Sequence, residues 1–142
     1  MGEAIFIDTW GWVALGHRHD DAHREIGGLF HEINGQGALI YTSDYVLDEL
    51  ITSLYRRADP AEVGMFLGGI LKAMDTGHLL VERVTPERFA QAWELRLKYG
   101  DKPSISFTDF TTMAIMKDLG IQRILTKDRH FSQIGMGLAL LP

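Results

Sequence analysis

The sequence predicts an α/β fold built on a mostly parallel sheet, and three observations carry that prediction. Short apolar runs alternate with segments of helical period along the whole chain, which is the pattern of strands joined by right-handed helical crossovers. Ile5-Phe6-Ile7 sets three apolar residues in a row, two of them β-branched, as expected of a strand buried on both faces at the centre of such a sheet. That run closes on Asp8, and an amphipathic helical start follows at once. A carboxylate at the carboxyl end of a central strand stands where open α/β sheets place their ligands. Asp8 is therefore either a helix N-cap or the first member of a site.

The remaining elements follow in order. Trp10 to Gly16 reads as a short helix, broken by Gly16 and His17-Arg18-His19-Asp20. Asp20 is then the expected N-cap of a helix through about Ile33, stopped at Asn34-Gly35. Ala38 to Thr42 is the second strand. Ser43 or Asp44 caps the next helix, which carries Val46, Leu47, Leu50, Ile51 and Leu54 at helical spacing. Asp59-Pro60-Ala61-Glu62 starts another helix, to about Asp75, in which Gly64, Gly68 and Gly69 would permit close helix packing. His78 to Val84 reads as the third strand. A helix from Arg88 to Tyr99 follows, capped by Thr85-Pro86-Glu87, with Phe89, Ala92, Trp93 and Leu97 expected inward. Ser106 opens a helix to Leu119, stopped by Gly120; Arg123 to Thr126 and Gly137 to Leu141 are the last two strands. No repeat, low-complexity tract or linker divides the chain, so residues 1–142 are expected to form one domain.

Composition excludes several classes. With 46% hydrophobic and 23% charged residues the chain is neither disordered nor fibrous. It lacks cysteine, which removes disulfides and thiolate metal sites and suits a reducing compartment. There is no basic n-region before the first apolar run, and no run of about 18 apolar residues to span a bilayer; a cytoplasmic location is expected. A net charge of −5 counts only mildly against a nucleic-acid partner. Carboxylates gathered into a metal site would account for most of it, and bound cations would cancel them.

Four acids stand at strand ends or helix starts: Asp8, Glu49, Asp109 and Asp128. In a parallel sheet those positions lie along one edge, so the groups can converge. Like charges in a small volume repel, and a divalent cation removes that penalty. Oxygen-only ligation selects Mg²⁺ or Mn²⁺ over zinc. Such a site suits phosphodiester hydrolysis, because metal ions polarise the phosphoryl group and activate water without a nucleophilic side chain. Taken singly, each acid has a plainer reading. Asp8 could be an N-cap, Asp109 the partner of Ser106 in a capping box, and Asp128 a turn residue. Glu49 has no such role, while its neighbour Asp48 points about 100° away around the helix and is expected to face solvent.

At these four places the sequence resembles the PIN-domain family, notably the VapC-type toxins of bacterial toxin–antitoxin pairs. The matching stretches are Ile5-Phe6-Ile7-Asp8-Thr9, Tyr45-Val46-Leu47-Asp48-Glu49, Ser106-Phe107-Thr108-Asp109 and Thr126-Lys127-Asp128-Arg129-His130-Phe131. The resemblance implies a three-layer α/β/α fold around a parallel sheet of about five strands. It also implies Mg²⁺- or Mn²⁺-dependent cleavage of RNA with one or two ions, a cognate antitoxin, and a homodimer. Asp8, Glu49, Asp109 and Asp128 would bind the metal, with Thr9, Ser106 and Thr126 in support. Trp10 stands where a small polar residue is common in the family, and Ser106 brings a hydroxyl where some members add an acid.

Arg56, Arg57, Lys127 and Arg129 are the candidates for RNA-phosphate contacts, being close to the motifs; Arg56-Arg57 also reads as a helix C-terminus favoured by the dipole. His130 is either a further phosphate contact or, as the preferred reading, a loop histidine packed beside Phe131. His17-x-His19-x-x-x-His23 reads as solvated loop and helix-start histidines rather than a zinc site. Trp10, Trp12 and Trp93 read as core rather than as base-stacking platforms. Two rival functions use the same fold: a non-cleaving RNA-binding or regulatory module, and an aspartyl-phosphate phosphoacceptor or phosphohydrolase with Asp8 as nucleophile. The second would want another acid beside Asp8 and a lysine after a late strand, a role Lys127 partly fits.

Overall fold

The computed structural model describes residues 3–127, 130–133 and 139–141. Five strands, β1 (Ala4–Ile7), β2 (Leu39–Ser43), β3 (Leu80–Glu82), β4 (Arg123–Leu125) and β5 (Ala139–Leu141), form one sheet in the order β3-β2-β1-β4-β5. All four pairings are parallel: Ile5 lies opposite Ile40 on one side and Arg123 on the other. β1 is thus central, and Ile5, Phe6 and Ile7 are buried, as a strand covered on both faces requires.

Among the described residues seven helices cover the sheet in a three-layer α/β/α arrangement: α1 (Thr9–Gly16), α2 (His23–Gly35), α3 (Asp44–Arg57), α4 (Pro60–Asp75), α5 (Pro86–Lys98), α6 (Phe107–Leu119) and α7 (His130–Gln133). α1 packs on α2 and α3, α3 touches α4 and α6, and α5 lies against α6. The sequence pattern gave no sign of α7. Its buried Phe131 joins the core. α1 approaches the sheet closely at Gly11, where a Cβ would lie 2.8 Å from the Ile7 side chain and 2.9 Å from the Leu125 carbonyl oxygen. Gly120 ends α6 in the left-handed region at φ 67°, a conformation glycine adopts without a Cβ clash. None of the helices among the described residues is long and apolar enough to cross a membrane.

Several expectations need correction. α2 starts at His23 with no side-chain cap, because the Asp20 carboxylate is engaged in a turn, accepting from the Ala22 N–H at 2.9 Å. Asp59 precedes Pro60 as expected but makes no capping hydrogen bond. Gly64, Gly68 and Gly69 have open space where a Cβ would stand, so none of the described elements packs closely on them. β3 and β4 are each three residues long, shorter than the apolar runs suggested; Gly137 and Leu138, expected to begin the last strand, lie outside the described residues.

The largest correction concerns α5. Ala92 is buried, but Phe89, Trp93 and Leu97 are 47%, 52% and 62% exposed rather than inward. The inner face instead carries Arg88, Ala92, Leu95 and Arg96, one residue around the helix. Arg88 is held by Glu82 at 3.1 Å and Asp118 at 2.9 Å, and Arg96 by backbone carbonyls. Two satisfied guanidiniums thus take the places that hydrophobic pattern alone assigns to aromatic residues.

Candidate functional site

Asp8 leaves β1 and opens α1. It is 5% exposed, and its Oδ1 accepts the Gly11 N–H at 3.1 Å. It is an N-cap, and it also faces a cleft of about 250 Å³ at the carboxyl end of the sheet. The peptide before it is fixed from a neighbouring strand. Trp12 Nε1 donates to Thr42 Oγ1 at 3.0 Å, and Thr42 Oγ1 donates to the Ile7 carbonyl at 3.0 Å. Thr42 is fully buried on β2, so the direction in which Asp8 leaves the strand is tied to the register of the sheet.

The Ser43 hydroxyl caps α3 by accepting the Val46 N–H at 3.1 Å. Asp44 Oδ1 accepts the Val84 N–H at 3.1 Å, binding the start of α3 to the residues after β3. The helix then presents Glu49, Ser53 and Arg57 to the cleft, at successive intervals of four residues. Asp48 is exposed and takes no part in the cleft wall, as its helical position predicts.

Asp109 arrives from the first turn of α6. Ser106 Oγ accepts the Asp109 N–H at 3.1 Å and Asp109 Oδ2 accepts the Ser106 N–H at 3.3 Å, a complete capping box. His130 Nδ1 lies 3.4 Å from the same Oδ2, and its Nε2 3.5 Å from Ser104 Oγ. The preferred expectation for His130, a loop histidine merely beside Phe131, is corrected: it begins α7 and faces the Asp109 carboxylate. Capping and cleft-lining coincide in Asp8 and again in Asp109, because a helix start at a strand's carboxyl end serves both.

The cleft therefore joins Asp8 and Thr9, Glu49 and Arg57, and Asp109. Ser106 supports Asp109 from outside the wall, and Thr126 is buried directly after β4. Arg56 and Lys127 are exposed and do not line the cleft. Asp128 and Arg129 lie outside the described residues.

Two polar cleft residues, Asp20 and Ser53, are not among the site residues the sequence suggests. Asp20 reads from the sequence as a helix cap. Ser53 follows Glu49 by four residues and precedes Arg57 by four, a signal that was available. Of the tryptophans, Trp12 is core, Trp10 forms part of the cleft wall, and Trp93 is on the surface. In the histidine run, His23 Nδ1 meets the Ala14 carbonyl at 2.7 Å, and His17 packs edge-on against His19.

The cleft wall carries the carboxylates of Asp8, Asp20, Glu49 and Asp109 and the single guanidinium of Arg57. Its donors are oxygens, the set that suits a hard divalent cation. Among the described residues no three acidic or imidazole groups are gathered tightly enough to enclose an ion. The donor chemistry fits a divalent metal. The acids stand around the cleft rather than collapsed on one another, as mutually repelling carboxylates do.

Residues 5–136 match the model of the PIN domain family. The chain is 33% identical over 135 residues to the 23S rRNA-specific endonuclease VapC20 of Mycobacterium tuberculosis, covering 92% of this chain and 94% of that protein. The crystal structure of Mycobacterium tuberculosis VapC20, a sarcin-ricin loop cleaving toxin, is similar with a TM-score of 0.78 at 32% identity, over 92% of this chain and 95% of the other. VapBC2 from Rickettsia felis, bound to a promoter DNA fragment, shares the fold with a TM-score of 0.70 at 18% identity, over 97% of each chain.

Proposed function

Because the chain belongs to the PIN-domain family, we propose that it is a metal-dependent endoribonuclease and the toxin half of a toxin–antitoxin pair, acting as one PIN-like domain in the cytoplasm. The observation that carries the reading is the meeting of Asp8, Glu49 and Asp109, from β1, α3 and α6, on one polar cleft. These three, with Asp128, would hold Mg²⁺ or Mn²⁺. When bound, the ion supplies Lewis-acid charge at a phosphoryl group and acidifies water.

The chain's own residues then divide the remaining work. Thr9, Ser106 and Thr126 support the acids. Arg57 is the cation of the cleft wall, and its planar fork suits a phosphate oxygen of the incoming strand. His130, adjoining Asp109, and Lys127 and Arg129, beside Asp128 in the sequence, extend phosphate contact beyond the cleft; Arg56 is the more distant candidate. The relative named for 23S rRNA cleavage makes ribosomal RNA the first substrate class to test.

Two apolar surfaces support partners. An open groove of about 530 Å³ between α1, α2, α4 and β2, walled by residues such as Trp12, Phe30 and Phe66, has the character that an antitoxin's amphipathic segment would cover. The exposed row Phe89, Trp93 and Leu97 on α5 suits self-association into a homodimer.

The test is Mn²⁺ titration of wild type and an Asp8→Asn, Asp109→Asn double variant, with RNA cleavage followed in parallel. Metal binding and cleavage should vanish together in the variant. Metal-dependent cleavage that persists in a clean preparation of the variant would remove the site assignment. RNA binding indifferent to both metal and the substitutions would favour a non-cleaving module.

A further inference from the structure

We infer that Arg96, outside the cleft, is a positioning residue that sets the orientation of the Asp109 carboxylate through a single peptide unit. This inference rests on the reading of Asp109 as a metal-binding acid. The segment from Tyr99 to Ser106 joins α5 to α6 and has no regular structure beyond turns. Arg96 Nη1 donates to the Ile105 carbonyl at 2.6 Å, while Nη2 donates to the Tyr99 and Lys102 carbonyls at 2.6 and 2.8 Å. The guanidinium also lies over the Phe110 ring, 4.8 Å from its centroid. One side chain therefore holds the beginning, middle and end of the loop, and rests on the residue that follows Asp109.

The Ile105 carbonyl and the Ser106 N–H belong to the same peptide. Its oxygen receives the Arg96 donor, and its N–H is donated to Asp109 Oδ2 at 3.3 Å. The peptide is planar, so fixing its oxygen fixes the direction of its N–H. A cation at the oxygen also polarises the unit and strengthens the N–H as a donor. Ile105 is 1% exposed, so the peptide is anchored on its Ile105 side, while Ser106 itself faces solvent. Arg96 thereby steers the carboxylate without touching it, in the manner of outer-sphere groups that orient metal ligands. Lysine cannot reproduce the arrangement, because a point ammonium does not span three carbonyls as a rigid fork does.

The experiment measures Mn²⁺ binding by calorimetry, beside RNA cleavage as a function of Mn²⁺ concentration, for wild type and Arg96→Lys. Arg96→Gln serves in its place should the lysine variant fail to fold. Val63→Ala, in the buried face of α4 away from the loop, is the control for general loss of stability. Arg96→Lys should weaken Mn²⁺ binding about tenfold and raise the Mn²⁺ needed for half-maximal cleavage in parallel. Val63→Ala should lower the melting temperature while leaving Mn²⁺ affinity within about twofold. The inference is overturned if Arg96→Lys only lowers the melting temperature and binds Mn²⁺ as wild type does. An Asp109→Asn arm separates the two levels: unchanged Mn²⁺ binding there removes the site reading and the inference with it. If Asp109→Asn binds weakly while Arg96→Lys is normal, only the positioning role falls.

Discussion

The acidic cleft and the apolar groove share a wall. α1 turns Trp10 and Val13 toward the first and Trp12 and Leu15 toward the second. The helix is largely apolar around its circumference, so the difference between the cavities does not originate in it. The cleft draws its charges from element ends and loops, from Asp8, Asp20 and Asp109, and from the Glu49–Arg57 stripe of α3. The groove, at about 530 Å³ roughly twice the volume of the cleft at about 250 Å³, is walled mainly by the flanks of packed helices. Element ends leave unsatisfied backbone groups and favour polar side chains, whereas helix flanks covering a sheet are apolar of necessity. Chemistry gathers at one end of the helix layer and adhesion along its side.

Four substitutions test how separate the two cavities are. Asp8→Asn should have the largest effect, lowering metal-dependent cleavage more than about a hundredfold. Asparagine caps a helix as well as aspartate does, so the melting temperature should hardly move. A large loss of stability would return Asp8 to a purely structural role. Gly11→Ala is next, because its Cβ would press on Ile7 and on the Leu125 carbonyl. Displacing the shared wall should cost about 1–3 kcal/mol in urea unfolding and damage both cavities together. Arg57→Gln should weaken RNA binding about tenfold, as an increase in KM, while leaving Mn²⁺ affinity unchanged; a matching loss of metal binding would mean that Arg57 shapes the acids rather than meeting the phosphate. Smallest is Leu15→Asn in the groove, for which RNA cleavage by the free chain should stay within about twofold. If it fell as far as with Asp8→Asn, the cavities would be one coupled unit.

Much of this arrangement was legible in the residues. The strand at Ile5-Phe6-Ile7 and the acids Asp8, Glu49 and Asp109 were visible because a buried parallel strand is a dense apolar run and its following helix start is polar. The inner face of α5 was not. A hydrophobic pattern counts Phe89, Trp93 and Leu97 toward the core and has no means of foreseeing that Arg88 and Arg96 will each be fully engaged inside. Asp20 was misplaced because aspartate suits a turn and a helix cap equally, and only the tertiary structure decides between them. The approach of His130 to Asp109 joins two segments brought together by the packing of α7 on α6, a relation that no local pattern encodes.

The order of strands has a consequence for the stage of synthesis at which the cleft can assemble. β1 is made first, yet it completes its pairing only when Ile5 meets Arg123, close to the end of the chain. Such distant pairings are the slow part of folding. During synthesis Asp8 waits beside an open strand edge while the α6 segment carrying Asp109 has still to emerge. A nascent chain thus lacks the assembled cleft until the segment carrying Asp109 has been translated and packed beside Asp8 and Glu49.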